Sequence, residues 1–253
     1  MSNRTRDTSE ACTAEKIVGV LGGMGPEATV DFMARVLRST PAIDDQDHIR
    51  MVVDNNPKVP SRIKALIEND GSNPATALQQ MARKLEHWGV DFLVMPCNTA
   101  HFYRSEVQQA VSIPVFDMVD LSVAEVIRNY PDIRTVGLLA STALLNLGIY
   151  ESAFARHEVR VKAPNGSAQT GLMKVVRLIK SGQYDDTEVT AALQSAAEEL
   201  VSCGSRVLLV ACTELSIVAE SIRTSVPVLD TAQILAEFVV KTAKPLMRET
   251  VRH

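Results

Sequence analysis

The sequence predicts an α/β protein of two similar lobes with mainly parallel sheets, pseudo-two-fold related, and a site in the cleft between them. Two observations carry this. Short Val-, Ile- and Leu-rich runs alternate with amphipathic segments from end to end, the pattern of strands covered by helices on both faces. The second part of the chain also repeats the first at an offset of 115 residues (Cys97 to Cys212, Gly89 to Gly204). A repeat of that length is a duplicated α/β unit.

The elements follow in order. Strands are predicted at Ile17–Leu21, Ile49–Asp54, Phe92–Pro96 and Ile113–Phe116, then at Thr135–Leu139, Glu158–Lys162, Val207–Val210 and Val226–Leu229. Asn73-Pro74 sets an N-cap before a first-turn proline, and Gly89 after Trp88 ends that helix. From about Thr187, the residues Val189, Leu193, Ala196 and Leu200 recur at helical spacing until Gly204. The first lobe is expected over 16–117, completed by a C-terminal helix over 231–253. The second is expected over 118–230, and residues 1–15 read as a disordered tail.

Composition narrows the function classes. The chain has 253 residues, 46% hydrophobic, with 26 Lys plus Arg against 30 Asp plus Glu. No basic stripe stands out, so a nucleic-acid partner is not expected. The longest wholly apolar run, Val207–Cys212, is far too short to span a membrane. Four cysteines and five histidines show no metal-ligand spacing, so no metal is expected. A cytoplasmic protein with free thiols is the expectation.

Two of those thiols stand out. Cys97 in Pro96-Cys97-Asn98-Thr99 and Cys212 in Ala211-Cys212-Thr213-Glu214 each follow a strand and open a helix. Ligands gather at that edge of an open α/β sheet. A helix start lowers a thiol's pKa and binds carboxylates. Two thiols flanking one carbon suit a reaction whose forward and reverse steps are equivalent. Cys203, aligned with Trp88, reads as a packing residue, and Cys12 falls in the tail. His101 reads as a helix residue. Asp117 and Asp230, equivalent in the repeat, read as N-caps. Glu214 either tunes Cys212 or favours the helix dipole. Gly23-Met24-Gly25-Pro26-Glu27-Ala28 formally fits a dinucleotide fingerprint, but Asp54 lies too far on for the ribose acid. A small carboxylate on the loop N–H groups is the better reading.

Gly22-Gly23-Met24-Gly25-Pro26-Glu27-Ala28-Thr29, Pro96-Cys97-Asn98-Thr99-Ala100-His101 and Cys212-Thr213-Glu214-Leu215 together resemble the aspartate/glutamate racemase superfamily, in its aspartate racemase branch. Asn55-Asn56-Pro57 and Pro60-Ser61-Arg62 fit the same branch. The glutamate racemases of cell-wall synthesis usually carry Asp-Ser after the first strand and His after the second Cys-Thr. Here Gly22-Gly23 and Glu214 stand there.

The resemblance implies racemisation of aspartate, glutamate or both without pyridoxal phosphate or another cofactor. Cys97 and Cys212 would exchange the α-proton on opposite faces. Arg62 and Lys180, one cation ahead of each cysteine, would bind substrate, with Asn98, Thr99, Thr213, Met24 and Gly25 around the carboxylates. An amino-acid substrate and a homodimer are the implied partners. The alternatives are a hydantoin- or maleate-type isomerase of the same superfamily, a non-catalytic amino-acid-binding protein, and a nicotinamide-dependent oxidoreductase.

Overall fold

The computed structural model describes residues 15–66, 71–182 and 186–244. The tail over 1–14, and the part of the expected C-terminal helix over 245–253, lie outside them.

The first half runs β1 (Val18–Gly22), α1 (Pro26–Ser39), β2 (Met51–Asn55), α2 (Arg62–Leu66), α3 (Pro74–Trp88), β3 (Phe92–Val94), α4 (Arg104–Gln108) and α5 (Met118–Asn129). The second runs β4 (Thr135–Leu139), α6 (Thr142–Leu147), α7 (Ile149–Ala155), β5 (Arg160–Lys162), α8 (Gly166–Ser181), α9 (Asp186–Ser202), β6 (Val207–Val210), α10 (Thr213–Ser216), β7 (Val228–Asp230) and α11 (Thr231–Ala243). The strands form two wholly parallel sheets, ordered β2-β1-β3 and β5-β4-β6-β7. The central strands β1 and β4 are buried along their whole length, as helices on both faces require. The α/β prediction with parallel sheets therefore holds.

One predicted strand is reduced. Ile113–Phe116 makes a single bridge, Val115 to Leu93, instead of a named strand. Pro114 has no N–H for a ladder, and the amides of Ser112 and Ile113 are taken by the Glu86 carboxylate.

The repeat extends into the packing. A Cβ on Gly19 would lie 2.6 Å from Leu93 Cδ2 and close to Val90 and Leu85. A Cβ on Gly137 would lie 2.6 Å from Leu208 Cδ2 and close to Ser205 and Leu200. These neighbours correspond one to one at the 115-residue offset. In both halves a helix end and a strand press on the central strand so closely that only glycine fits.

Two helices tie the halves together. α5 leaves the first half, yet its Val119, Val123 and Val126 pack with Val136 and Leu138 of the second sheet. α11 follows the last strand, yet its Leu235, Ala236 and Val239 pack with Val18, Val20 and Phe32 of the first. Each such buried Val, Leu or Phe contributes about 1.5–3 kcal/mol. α5 and α11 also pack on each other. Among the described residues no helix is long and apolar enough to cross a membrane.

Candidate active site

Cys97 and Cys212 occupy equivalent places. Each follows a buried strand, has extended backbone (φ −155°, ψ 106° and φ −145°, ψ 117°) and opens a short helical turn. Each side chain is buried but for 6% of the residue surface. They line one cavity of about 520 Å³. Met24, Gly25, Arg62, Asn98 and Thr99 join Cys97 on its wall from the first half, and Lys180 and Thr213 join Cys212 from the second. All nine residues singled out in the sequence thus meet at one pocket, although they span 24 to 213.

The loop after β1 is held by its own residues. Gly23 has φ 88°, and a Cβ there would lie 2.2 Å from the backbone of Asn56. Any side chain is therefore excluded twice, by conformation and by space. Thr29 Oγ1 accepts from the Gly23 N–H at 2.9 Å and donates to the Gly25 carbonyl at 3.0 Å.

Arg62 lies across this loop. Its Nη2 donates to the Met24 carbonyl at 3.1 Å, and Nη1 donates to the carbonyls of Pro60 and Val59 at 3.0 and 3.4 Å. Its Nε is buried with no hydrogen-bond partner. A buried donor of a charged group left without a partner is costly.

The second wall is built differently. Lys180 forms an ion pair with Glu214, and Cys212 Sγ donates to the other carboxylate oxygen, Oε2, at 3.2 Å. Gly25 closes against this pair: a Cβ there would lie 3.1 Å from Glu214 Oε1. Burial opposes the Lys180 ammonium, but Glu214 more than offsets it, and both cysteines add to the effect. Its pKa is raised. Burial first, and then the Glu214 charge, push the Cys212 thiol well above the ordinary cysteine range against the pull of Lys180. The expectation that a helix start lowers this thiol's pKa is therefore overturned. α10 is only four residues long, and burial together with a hydrogen-bonded carboxylate outweighs its partial dipole.

A direct consequence can be measured. Glu214→Gln removes a charge that favours the protonated thiol and leaves Lys180 free to favour the thiolate. Cys212 should then titrate at lower pH than in the wild type, and Lys180→Met should shift it the other way. The pH dependence of iodoacetamide labelling, read on the Cys212 peptide by mass spectrometry, checks both signs.

Asn98 is less free than the sequence implied. Its Nδ2 donates to Thr231 Oγ1 at 3.0 Å, and its Oδ1 accepts from the Tyr150 hydroxyl at 2.6 Å. The side chain bridges α11 and α7, and Asn98 still lines the cavity. Burial pushes the Tyr150 phenol up, so it stays a donor.

Other assignments change or stand. Cys203 is exposed, not a packing residue. It sits in the outer turn between α9 and β6, just as Trp88 is 56% exposed under the Arg50 guanidinium. Asp117 caps α5 and Asp230 caps α11, as expected. Ser141 and Val176 line the pocket without having been singled out. Signals for both existed: Ser141 lies four residues after Gly137 as Gly23 lies four after Gly19, and Val176 lies one helical turn before Lys180. Among the described residues no cluster of three or more His, Cys, Asp or Glu could hold a metal ion.

The family model described as Asp/Glu/Hydantoin racemase matches residues 21–239. The chain belongs to that family. It is thus an enzyme of an isomerase family, as the sequence motifs implied. The broad specificity amino-acid racemase RacX of Bacillus subtilis is 30% identical over 230 residues, covering 89% of this chain and 97% of that protein. The aspartate racemase of Picrophilus torridus superposes with a TM-score of 0.76 at 31% identity, over 90% of this chain and 94% of that one. A glutamate racemase of Francisella tularensis in complex with D-glutamate superposes with a TM-score of 0.64 over 89% of this chain and 80% of that one. At 20% identity it shows the shared two-lobed racemase fold alone.

Proposed function

We propose that the enzyme racemises aspartate, glutamate or both by two-base proton transfer between Cys97 and Cys212, using neither pyridoxal phosphate nor metal. One observation carries this reading: equivalent thiols from the two halves line a single cavity. The thiolate of one cysteine takes the α-hydrogen as a proton and becomes a thiol. The electron pair stays on the α-carbon and its carboxylate. The thiol of the other cysteine gives its proton to the opposite face and becomes a thiolate. The products differ from the reactants only in hand and in which sulfur bears the proton.

Cys212 rests protonated, ready to act as acid. To act as base it must first lose that proton, and Glu214 Oε2 already accepts its hydrogen bond. That loss occurs when Cys212 donates to the substrate: the thiolate it leaves, favoured by Lys180, is the base for the reverse direction, and we assign Glu214 the role of holding the Cys212 proton for the acid step. The α-carbon is a very weak acid. Fixed donors to the carboxylate in a water-poor cleft supply much of the stabilisation. Thr99, Thr213 and the N–H groups around Met24, Gly25 and Asn98 take that role. Arg62 lines the same cavity and brings its guanidinium to a substrate carboxylate.

One observation favours a second reading, a wider substrate range. Lys180 is already paired with Glu214, so the pocket's cationic surplus is smaller than two free cations would give. A Lys–Glu pair can also face the carboxylate and ammonium of any amino acid. RacX is itself named a broad specificity racemase.

The test is to incubate each L-amino acid with the enzyme and follow the D-form by chiral chromatography. Aspartate and glutamate turning over fastest supports the first reading, and comparable rates for neutral amino acids support the second. Binding without any inversion would make the protein a binder instead.

The cytoplasmic location and the homodimer complete the proposal. Exposed Val30, Met33 and Leu37 along one side of α1 support an apolar contact between copies. Sedimentation velocity measures it.

A further inference from the structure

Each cysteine has a counterpart four residues on: His101 after Cys97 and Ser216 after Cys212. Neither was assigned a role in the reaction. They are equivalent at the same 115-residue offset, and both point at the same kind of target. His101 Nδ1 bonds the Cys97 carbonyl at 3.0 Å, and its Nε2 accepts from the Met118 N–H, the first residue of α5, at 3.0 Å. That pair of bonds fixes one neutral tautomer, with the proton on Nδ1. Burial holds the imidazole below its ordinary range. Asp117 at the α5 cap works against this, and Arg104 in α4 adds to it.

In the second half, the Ser216 N–H donates to the Cys212 carbonyl at 3.0 Å. Its hydroxyl donates to Asp230 Oδ1 at 2.7 Å, and the same oxygen accepts from the Ala232 N–H in the first turn of α11. Arg35 closes the arrangement. Its Nη2 donates to the Ser216 carbonyl at 2.6 Å, and its Nη1 pairs with Asp230 Oδ2 at 3.1 Å.

So each thiol-bearing turn is tied to the start of the helix that crosses between the halves. The chemistry differs, imidazole in one half and hydroxyl–carboxylate–guanidinium in the other, but the two anchoring points correspond. We propose that His101 and Ser216 are paired positioning residues, each setting the reach of its own cysteine toward the substrate carbon. The proposal rests on the two-cysteine reading.

Rates alone cannot show this. The equilibrium constant between enantiomers is one, so any variant must lose kcat/KM equally in both directions. Isotope partitioning can. In deuterated water, a displaced Cys97 still lets Cys212 deprotonate its enantiomer, but reprotonation from the Cys97 side is slow. The carbanion then returns to the starting hand carrying deuterium. His101→Leu should therefore raise the ratio of deuterium uptake to inversion about ten-fold for one enantiomer only, since a misplacement of about 1 Å can cost that much or more. Ser216→Ala should do the same for the opposite enantiomer. His101→Asn keeps a donor for the Cys97 carbonyl and should show a smaller rise of the same handedness. Ser216→Thr keeps the hydroxyl and should behave like the wild type.

Cys97→Ser and Cys212→Ser, run alongside, identify which enantiomer each sulfur serves. If those two show no opposite preference, the two-cysteine reading itself fails. If they do, but His101→Leu and Ser216→Ala change both enantiomers alike or neither, the positioning proposal is overturned. Should His101→Leu not fold, His101→Asn and the Ser216 variants decide it alone.

Discussion

Cys97→Ser and Cys212→Ser should each reduce racemisation by about 1,000-fold or more in both directions, within the range expected for losing a general acid–base group. A hydroxyl fits either site, since both sulfurs are nearly enclosed. It does not ionise at neutral pH as a thiol can. Every turnover uses both groups, so neither variant can favour one direction. Thermal unfolding should stay close to the wild type, which separates lost chemistry from lost structure. Chiral chromatography from pure D- and pure L-substrate reads the rates. A variant that keeps normal inversion would make its cysteine structural.

Arg62→Ala should lower kcat/KM for aspartate and glutamate by about 100-fold, the scale of removing one partner from a buried charge pair. The loss should be much smaller for alanine or serine, which carry no second carboxylate. That contrast matters because Arg62 also braces the loop through Met24, Pro60 and Val59. A merely braced loop would fail for all substrates alike. Arg62→Lys keeps the charge but loses the planar fork, and should recover only part of the activity. Steady-state kinetics on the four amino acids checks the pattern. Equal loss on all four would remove Arg62 from side-chain recognition.

Much of this architecture was legible because the duplication left matching marks. Gly19 and Gly137, and Gly89 and Gly204, each recur where geometry tolerates little else, and Cys97 and Cys212 recur at matching strand ends, so periodicity and small residues located strands, helix ends and thiols together. What sequence missed depends on tertiary partners. The Ile113–Phe116 segment has the composition of a strand, but Pro114 and the Glu86 carboxylate remove the donors a ladder needs. Lys180 reads as a free cation until Glu214, 34 residues on, is folded against it. Asn98 reads as a substrate ligand until Tyr150 and Thr231 take both ends of its amide. Cys212 reads as an acidic thiol from its place at a helix start, and only burial and a neighbouring carboxylate reverse that. Apart from Cys212, whose carboxylate is only two residues on, each correction concerns a polar group whose partner lies far off in the chain. Hydrophobic patterning does not encode such pairings.

The two-base account is tested most directly by the first products formed in deuterated water. Pure L-aspartate or L-glutamate is given to the wild-type enzyme, and the reaction is stopped within the first few per cent of conversion. The D-product and the remaining L-substrate are separated, and α-deuterium is measured in each by mass spectrometry. Two thiols on opposite faces predict that the D-product carries deuterium from solvent while the recovered L-substrate remains almost wholly protiated, and that the same holds with the hands exchanged. A D-product that retains the original α-hydrogen would mean that one group carries the proton across, and would contradict the account.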